Sequence, residues 1–213
     1  RELNSSYFDR KWVEMVDYPP TNAMARVRAY DFAAEEKTAT NNPDWTCGVK
    51  MSKDKFGKYY IEDVVRYRER TDKVLKNVVT TAISDGLGDC AVHIPTDPAA
   101  AGKTAVQYYL RVLAEHGVNA RTKVSSGHNS KLSAFKPFCA LAESGNLAVV
   151  KADWNDAFFQ ELESFSGEKS IQRTMKDDQV DSVSAAFACL ARQTLLPVFS
   201  VPELTQKSPI PTI

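Results

Sequence analysis

The 213-residue sequence predicts an α/β fold: a mixed central sheet, three antiparallel strands followed by parallel ones, with helices on both faces. Three observations carry this. Early segments alternate apolar and polar side chains with period two, and a turn signal joins two of them. From Thr71 onward, helical stripes alternate with short apolar runs, as crossover units of a parallel sheet do. Gly86, Gly117 and Gly145 each stand just past such a stripe, where a left-handed residue ends a helix.

Residues 1–25 read as a lead-in, with Trp12, Val13 and Met15 as anchors and Pro19-Pro20 as a break. Arg26 to Ala33 is the first strand. Val27, Ala29 and Asp31 point to one face, and Arg28, Tyr30 and Phe32 to the other. After a polar loop, Trp45 to Ser52 alternates cleanly. Asp54-Lys-Phe-Gly57 is a turn, and Lys58 to Tyr67 is the return strand. Thr71 to Asp85 is a helix with Val74, Leu75, Val78, Val79 and Ile83 on one side. Cys90 to Ile94 is a short strand, and Pro98 to His116 a helix. Ala120 to Val124 is a strand, Lys131 to Ser144 a helix, and Leu147 to Val150 a strand. Trp154, Phe158, Leu162 and Phe165 mark another helix. A polar loop leads to the last helix, Asp178 to Arg192. Residues 26–193 thus form one domain, and 194–213 a Pro-rich, poorly ordered tail. This order of elements is that of the ribonuclease H-like fold, which by itself gives no function.

The composition, 43% hydrophobic and 25% charged, is that of an ordinary globular chain. Lys plus Arg and Asp plus Glu are 27 each, so no strong basic field advertises nucleic acid, although a local patch is compatible with neutrality. No apolar run approaches the roughly 20 residues of a membrane helix, and no stretch of this sequence reads as a signal peptide. The chain begins at Arg1, which reads as a piece of something longer. Cys47, Cys90, Cys139 and Cys189 are far apart in apolar segments and read as reduced core thiols. His93, His116 and His128 lack zinc-ligand spacing.

Three acidic positions stand out. Asp31 lies at the carboxyl end of a strand, where open α/β sheets place their sites. A carboxylate on an apolar face needs an Arg or Lys partner, hydrogen-bond donors or a metal. Asp97 follows the strand ending at Ile94 and precedes Pro98, a good helix cap that can also face the sheet's edge. Asp177, Asp178 and Asp181 open the last helix, where the dipole favours acids, but three together repel one another and a cation relieves them. Such oxygen donors suit Mg²⁺ or Mn²⁺, and two ions ~3.5–4 Å apart support phosphodiester cleavage. Asp44 and Asp63 read as structural, Asp153 and Asp156 as cap and first-turn acids.

Asp97-Pro-Ala-Ala-Ala-Gly-Lys-Thr104 ends like a P-loop but lacks its first glycine, and Pro98 cannot join a cradle of N–H groups. Lys103 can still touch phosphate. Arg121, Lys123, His128, Lys131 and Lys136 surround a polar loop; singly they read as solvated, together as a sequence-blind phosphate patch.

Several strings resemble the C-terminal nuclease domain of tailed-phage terminase large subunits. They are Arg28-Ala-Tyr-Asp-Phe-Ala-Ala34, Pro43-Asp-Trp-Thr-Cys-Gly-Val49, Gly57 to Arg66, Asp97 to Lys103, Ala142 to Leu147, Trp154 to Phe158 and Lys176-Asp-Asp-Gln-Val-Asp-Ser182. They run in family order from about Arg26 to Leu190. The resemblance implies a metal-dependent endonuclease that cuts concatemeric viral DNA during packaging in the infected cell's cytoplasm. It implies an ATPase motor upstream on the same chain, and the portal and small terminase subunit as partners. Asp31 and Asp97 match the family's first two acids, and Asp178 is favoured as the third, with Asp181 on its face. Relatives often carry Glu where Pro95 stands and His where Lys176 stands. The alternatives are a packaging module that binds DNA and portal with little cleavage, or a resolvase- or transposase-type relative.

Overall fold

In the computed structural model, which describes residues 7–33, 45–96, 100–123, 130–167 and 176–193, nine residues from Ala23 to Asp31 form an inner strand of a seven-stranded sheet. The strands are β1 (Glu14–Val16), β2 (Ala23–Asp31), β3 (Thr46–Asp54), β4 (Tyr59–Tyr67), β5 (Ala91–Pro95), β6 (Ala120–Lys123) and β7 (Leu147–Val150). Their order across the sheet is β1-β7-β4-β3-β2-β5-β6. β2, β3 and β4 make the antiparallel meander, and the remaining pairs are parallel. The helices are α1 (Thr71–Asp85), α2 (Ala100–Glu115), α3 (Lys131–Glu143), α4 (Asn155–Ser164) and α5 (Asp178–Gln193).

The period-two reading of β2 divides the molecule into its two cores. Val27 and Ala29 face a core shared with Phe135 and Phe138 of α3, Phe158 and Leu162 of α4, and Val180 and Val183 of α5. Tyr30 faces the other, with Val74 and Val78 of α1 and Val106 and Leu113 of α2. Helices therefore cover both faces, and burying each apolar stripe against the sheet is what holds the layers together.

Arg28, also on the second face, is 1% exposed. Its guanidinium donates to both Asp85 oxygens at 2.5 and 2.9 Å, to Asp63 at 2.7 Å and to the Gly48 carbonyl at 3.0 Å. Burial opposes its charge, but these acceptors outweigh that and raise its pKa. Gly48 stands level with Tyr30, and a Cβ there would meet the Tyr30 ring at 2.5 Å, so only glycine lets the ring lie over β3.

Three features differ from the sequence reading. The stretch before Arg26 contributes an edge strand: Glu14–Val16 pairs in parallel with β7, while Phe8 is fully buried between Phe138 and Phe159. Three residues are too few to show a period. Met15, expected as an anchor, is 38% exposed. Ile83 is 51% exposed, because Ala82 takes the inward position in the last turn of α1. The cysteines are free thiols, and Cys47, Cys90 and Cys139 are buried, as expected. Residues 194–213 lie outside the described residues.

Candidate metal centre

β2 runs parallel to β5, and, through the double reversal at β3, parallel to β4, so these three strands end at one edge. Asp31 is the last residue of β2. α5 lies across β2 and β3 at this edge. Ser182 Oγ donates to the Cys47 carbonyl at 3.0 Å, fixing the helix over β3. The Trp45 N–H donates to Asp178 Oδ2 at 3.2 Å, fixing the first acid of the helix to the start of the same strand.

Asp31 of β2 lies near enough to Asp178 and Asp181 of α5 for their charges to act on its carboxyl. Asp178 is 3% exposed. The Asp181 N–H donates to the Asp177 carbonyl at 3.0 Å, which makes Asp177 the residue that starts the helix. Burial first, and then the facing charges of Asp181 and Asp178, raise the Asp31 pKa well above the usual carboxylate range. Asp177 adds to the rise and Lys131 opposes it. Asp181 is pushed up to about 6, chiefly by burial, with Lys131 opposing and Asp177 and Asp178 contributing.

Lys131, the first residue of α3, sits with its ammonium 2.8 Å from Asp177 and 2.5 Å from Asp181. Burial lowers its pKa, but the two acids more than reverse this and raise it. Sequence reasoning assigned Lys131 to phosphate; here it is a counter-charge within the acid cluster.

A further acid escaped the sequence reading. Glu161 of α4 accepts from the backbone N–H groups of Gln179 at 2.6 Å and Val180 at 3.3 Å, and from Gln179 Nε2 at 2.6 Å. It caps α5 from outside the helix and so sets where the helix begins. Burial pushes its carboxyl up to about 7, against the Gln179 hydrogen bonds, with Asp178 adding and Arg66 opposing. The signal was present: Glu161 lies three residues after Phe158 and next to Leu162, on the inward stripe of α4.

The other expected residues are less gathered. Asp97 lies outside the described residues; the strand before it ends at Pro95, beside β2, with Ala29 level with His93. His128 and the side chains of Lys103 and Lys123 lie outside them too. Arg121, on edge strand β6, donates weakly to Asn119 at 3.4 Å. Lys136 is exposed on α3, its ammonium 5.6 Å from the Tyr7 ring centre.

Among the described residues, no three His, Cys, Asp or Glu side chains stand as a set able to hold a metal ion. Asp177 and Asp181 are turned onto Lys131 instead. The donor chemistry nevertheless fits a hard divalent cation: the acids are all carboxylates, their crowding disfavours ionisation, and a cation already lies among them.

The terminase RNaseH-like domain family matches residues 28–189, from Arg28 of β2 to Cys189 of α5. The chain belongs to this family. Its fold is also that of solved phage terminase nucleases. The large terminase nuclease domain of P22 is similar at a TM-score of 0.59 and 16% identity, over 87% of this chain and 90% of that one. The large terminase nuclease of the thermophilic phage G20c, solved with bound magnesium, gives 0.56 and 15% over 88% and 98%. The large terminase nuclease domain of Thermus phage P74-26 gives 0.55 and 16% over 86% and 94%. Among curated proteins, none matches the chain. Among the described residues no helix is long and apolar enough to cross a membrane.

Proposed function

We propose that this terminase domain is a metal-dependent endodeoxyribonuclease that cuts concatemeric double-stranded viral DNA during genome packaging. The observation that carries the reading is the meeting of Asp31 with Asp178 and Asp181 at the carboxyl edge of an RNase H-like sheet. Asp31, Asp97 and Asp178 would be the principal ligands of two Mg²⁺ or Mn²⁺ ions, with Asp177 and Asp181 beside them. Such ions, when bound, supply a water nucleophile at neutral pH and charge for the leaving oxygen.

The chain's own residues prepare the site. The Trp45 N–H donates to Asp178 Oδ2 and so holds that carboxylate at the start of β3. Ser182 and Glu161 fix the position of α5 from two sides. Lys131 offsets part of the charge of Asp177 and Asp181 before any cation arrives. Phosphate contacts carry no base information, so the cutting is proposed to have little sequence preference. The partners proposed are duplex DNA, an ATPase motor on the same chain, the portal and the small terminase subunit.

Lys131 also favours a second reading, in which the domain chiefly binds DNA and portal and cleaves little, because its ammonium competes with the cation. Conversion of supercoiled plasmid to nicked and linear forms in Mg²⁺ or Mn²⁺, and its loss in EDTA, supports the nuclease. Undiminished cutting in EDTA contradicts metal dependence, and no cutting in either metal favours the second reading.

A further inference from the structure

Asp31 is level with Cys47, and Cys47 with Arg66, so these three residues form one row across β2, β3 and β4. Residues in a row share a face, and at roughly 5 Å per strand the Cα atoms of Asp31 and Arg66 are about 10 Å apart. Arg68 lies two residues further, just past the end of β4, on the side of Arg66. Both arginines rest on one ring: their guanidinium carbons lie 4.4 and 4.3 Å from the centre of Trp45. The backbone N–H of that same tryptophan holds Asp178. The two cations and the acid cluster are thus joined through a single residue.

These arginines differ from others in the fold. Arg10, Arg26 and Arg28 each engage a carboxylate. Among the described residues Arg66 and Arg68 form no ion pair, and the Nε of each is buried without a hydrogen-bond partner. Among the described residues, then, two guanidiniums without an ion pair stand on or next to the row of β2, β3 and β4 that carries Asp31. Two like charges on one indole repel each other, and an anion relieves them. Stacking on the ring keeps the planar forks ordered, which is what two-pronged phosphate recognition needs.

We propose that Arg66 and Arg68, held on Trp45, form a phosphate clamp for the DNA backbone next to the phosphodiester that enters the acid cluster. The inference rests on the nuclease reading of that cluster. A DNA strand approaching Asp31, Asp178 and Asp181 meets negative charge, and the clamp supplies the attraction that brings it in. It is a sequence-blind contact, because phosphates carry no base information.

The test is equilibrium binding of a fluorescein-labelled duplex to the chain in EDTA, over a salt series, for wild type, R66Q/R68Q and R68Q. Thermal melts check the fold, and R68Q alters a residue outside the strand ladder. Each lost phosphate contact should reduce the log–log salt slope by about 0.9. The double variant should bind at least several-fold more weakly with a slope lower by about 1.8, and R68Q should lose about half of that. R66K/R68K should keep much of the slope but lose affinity, because an ammonium lacks the fork. In Mg²⁺, R66Q/R68Q should raise KM more than it lowers kcat. Unchanged affinity and slope in folded variants overturns the clamp, even where wild type cuts plasmid well. Weakened binding in the variants with no cutting by wild type leaves the clamp standing and removes the nuclease reading.

Discussion

The ammonium of Lys131 stands 2.5 Å from Asp181, on the acid face of α5 where a divalent cation would be drawn. The same ammonium lies 2.8 Å from Asp177. An ion pair this exposed on the lysine side is worth about 0–1 kcal/mol, so metal can displace it.

Lys131→Met keeps the apolar stem and removes the charge. In EDTA the variant should melt below wild type, because the acids lose their counter-charge. Added Mn²⁺ should then raise its Tm at several-fold lower concentration than in wild type, through mass action on the folded state. Identical metal titrations of the two proteins would show that Lys131 and the ion do not compete.

Asp31→Asn and Asp178→Asn should each abolish metal-dependent cutting while leaving the fold intact. For Asp31 the stability effect has a definite sign. Its folded pKa is raised, so its contribution is fully present below the unfolded value of about 3.9 and is lost as pH rises through the folded value. Urea melts in EDTA should therefore show D31N gaining on wild type toward neutral pH and not below about pH 4. Cutting by D31N at the wild-type rate would remove Asp31 from the ligand set.

Glu161 predicts a second pH effect. Its carboxyl is pushed up to about 7, so its stabilising contribution is present in acid and falls as pH rises toward neutrality. Glu161→Gln should flatten that part of the pH profile. Glu161→Ala should cost about 0.5–2 kcal/mol, the usual value of a lost helix cap. A profile unchanged in E161Q would mean that the slope belongs to Asp31 and Asp181.

On the opposite face, Asp85→Ala strips Arg28 of its two-pronged partner and leaves a nearly inaccessible guanidinium with Asp63 and the Gly48 carbonyl. Breaking a buried pair from one side costs about 3–5 kcal/mol, whereas Arg28→Met, which removes the buried charge, should cost less. Chemical denaturation compares the two. A larger loss for R28M would mean that the arginine stem and its bond to Gly48 matter more than the pairing.

The parts of this molecule legible in its sequence are those written in local periods. The alternation in Arg26 to Ala33 placed Val27 and Ala29 on one face and Tyr30 and Phe32 on the other, and the two cores bear that out. Contacts between distant residues were not legible. Arg28 meets Asp85 across 57 positions, and Trp45 meets Asp178 across 133. Lys131 reads as a loop-flanking base until the packing of α3 on α5 delivers it to Asp181. Glu161 looks like a surface acid until α5 begins against it. β1 is too short to announce itself, and its pairing with β7 is a property of the whole sheet.

The central claim is that a divalent cation binds between β2 and the start of α5. Crystals of the chain soaked in Mn²⁺ test it most directly, through the anomalous signal of the ion. The account predicts peaks bounded by the carboxylates of Asp31 and Asp178, with Lys131 moved away from Asp181. Manganese elsewhere on the surface, with Lys131 still on Asp177 and Asp181, would contradict it.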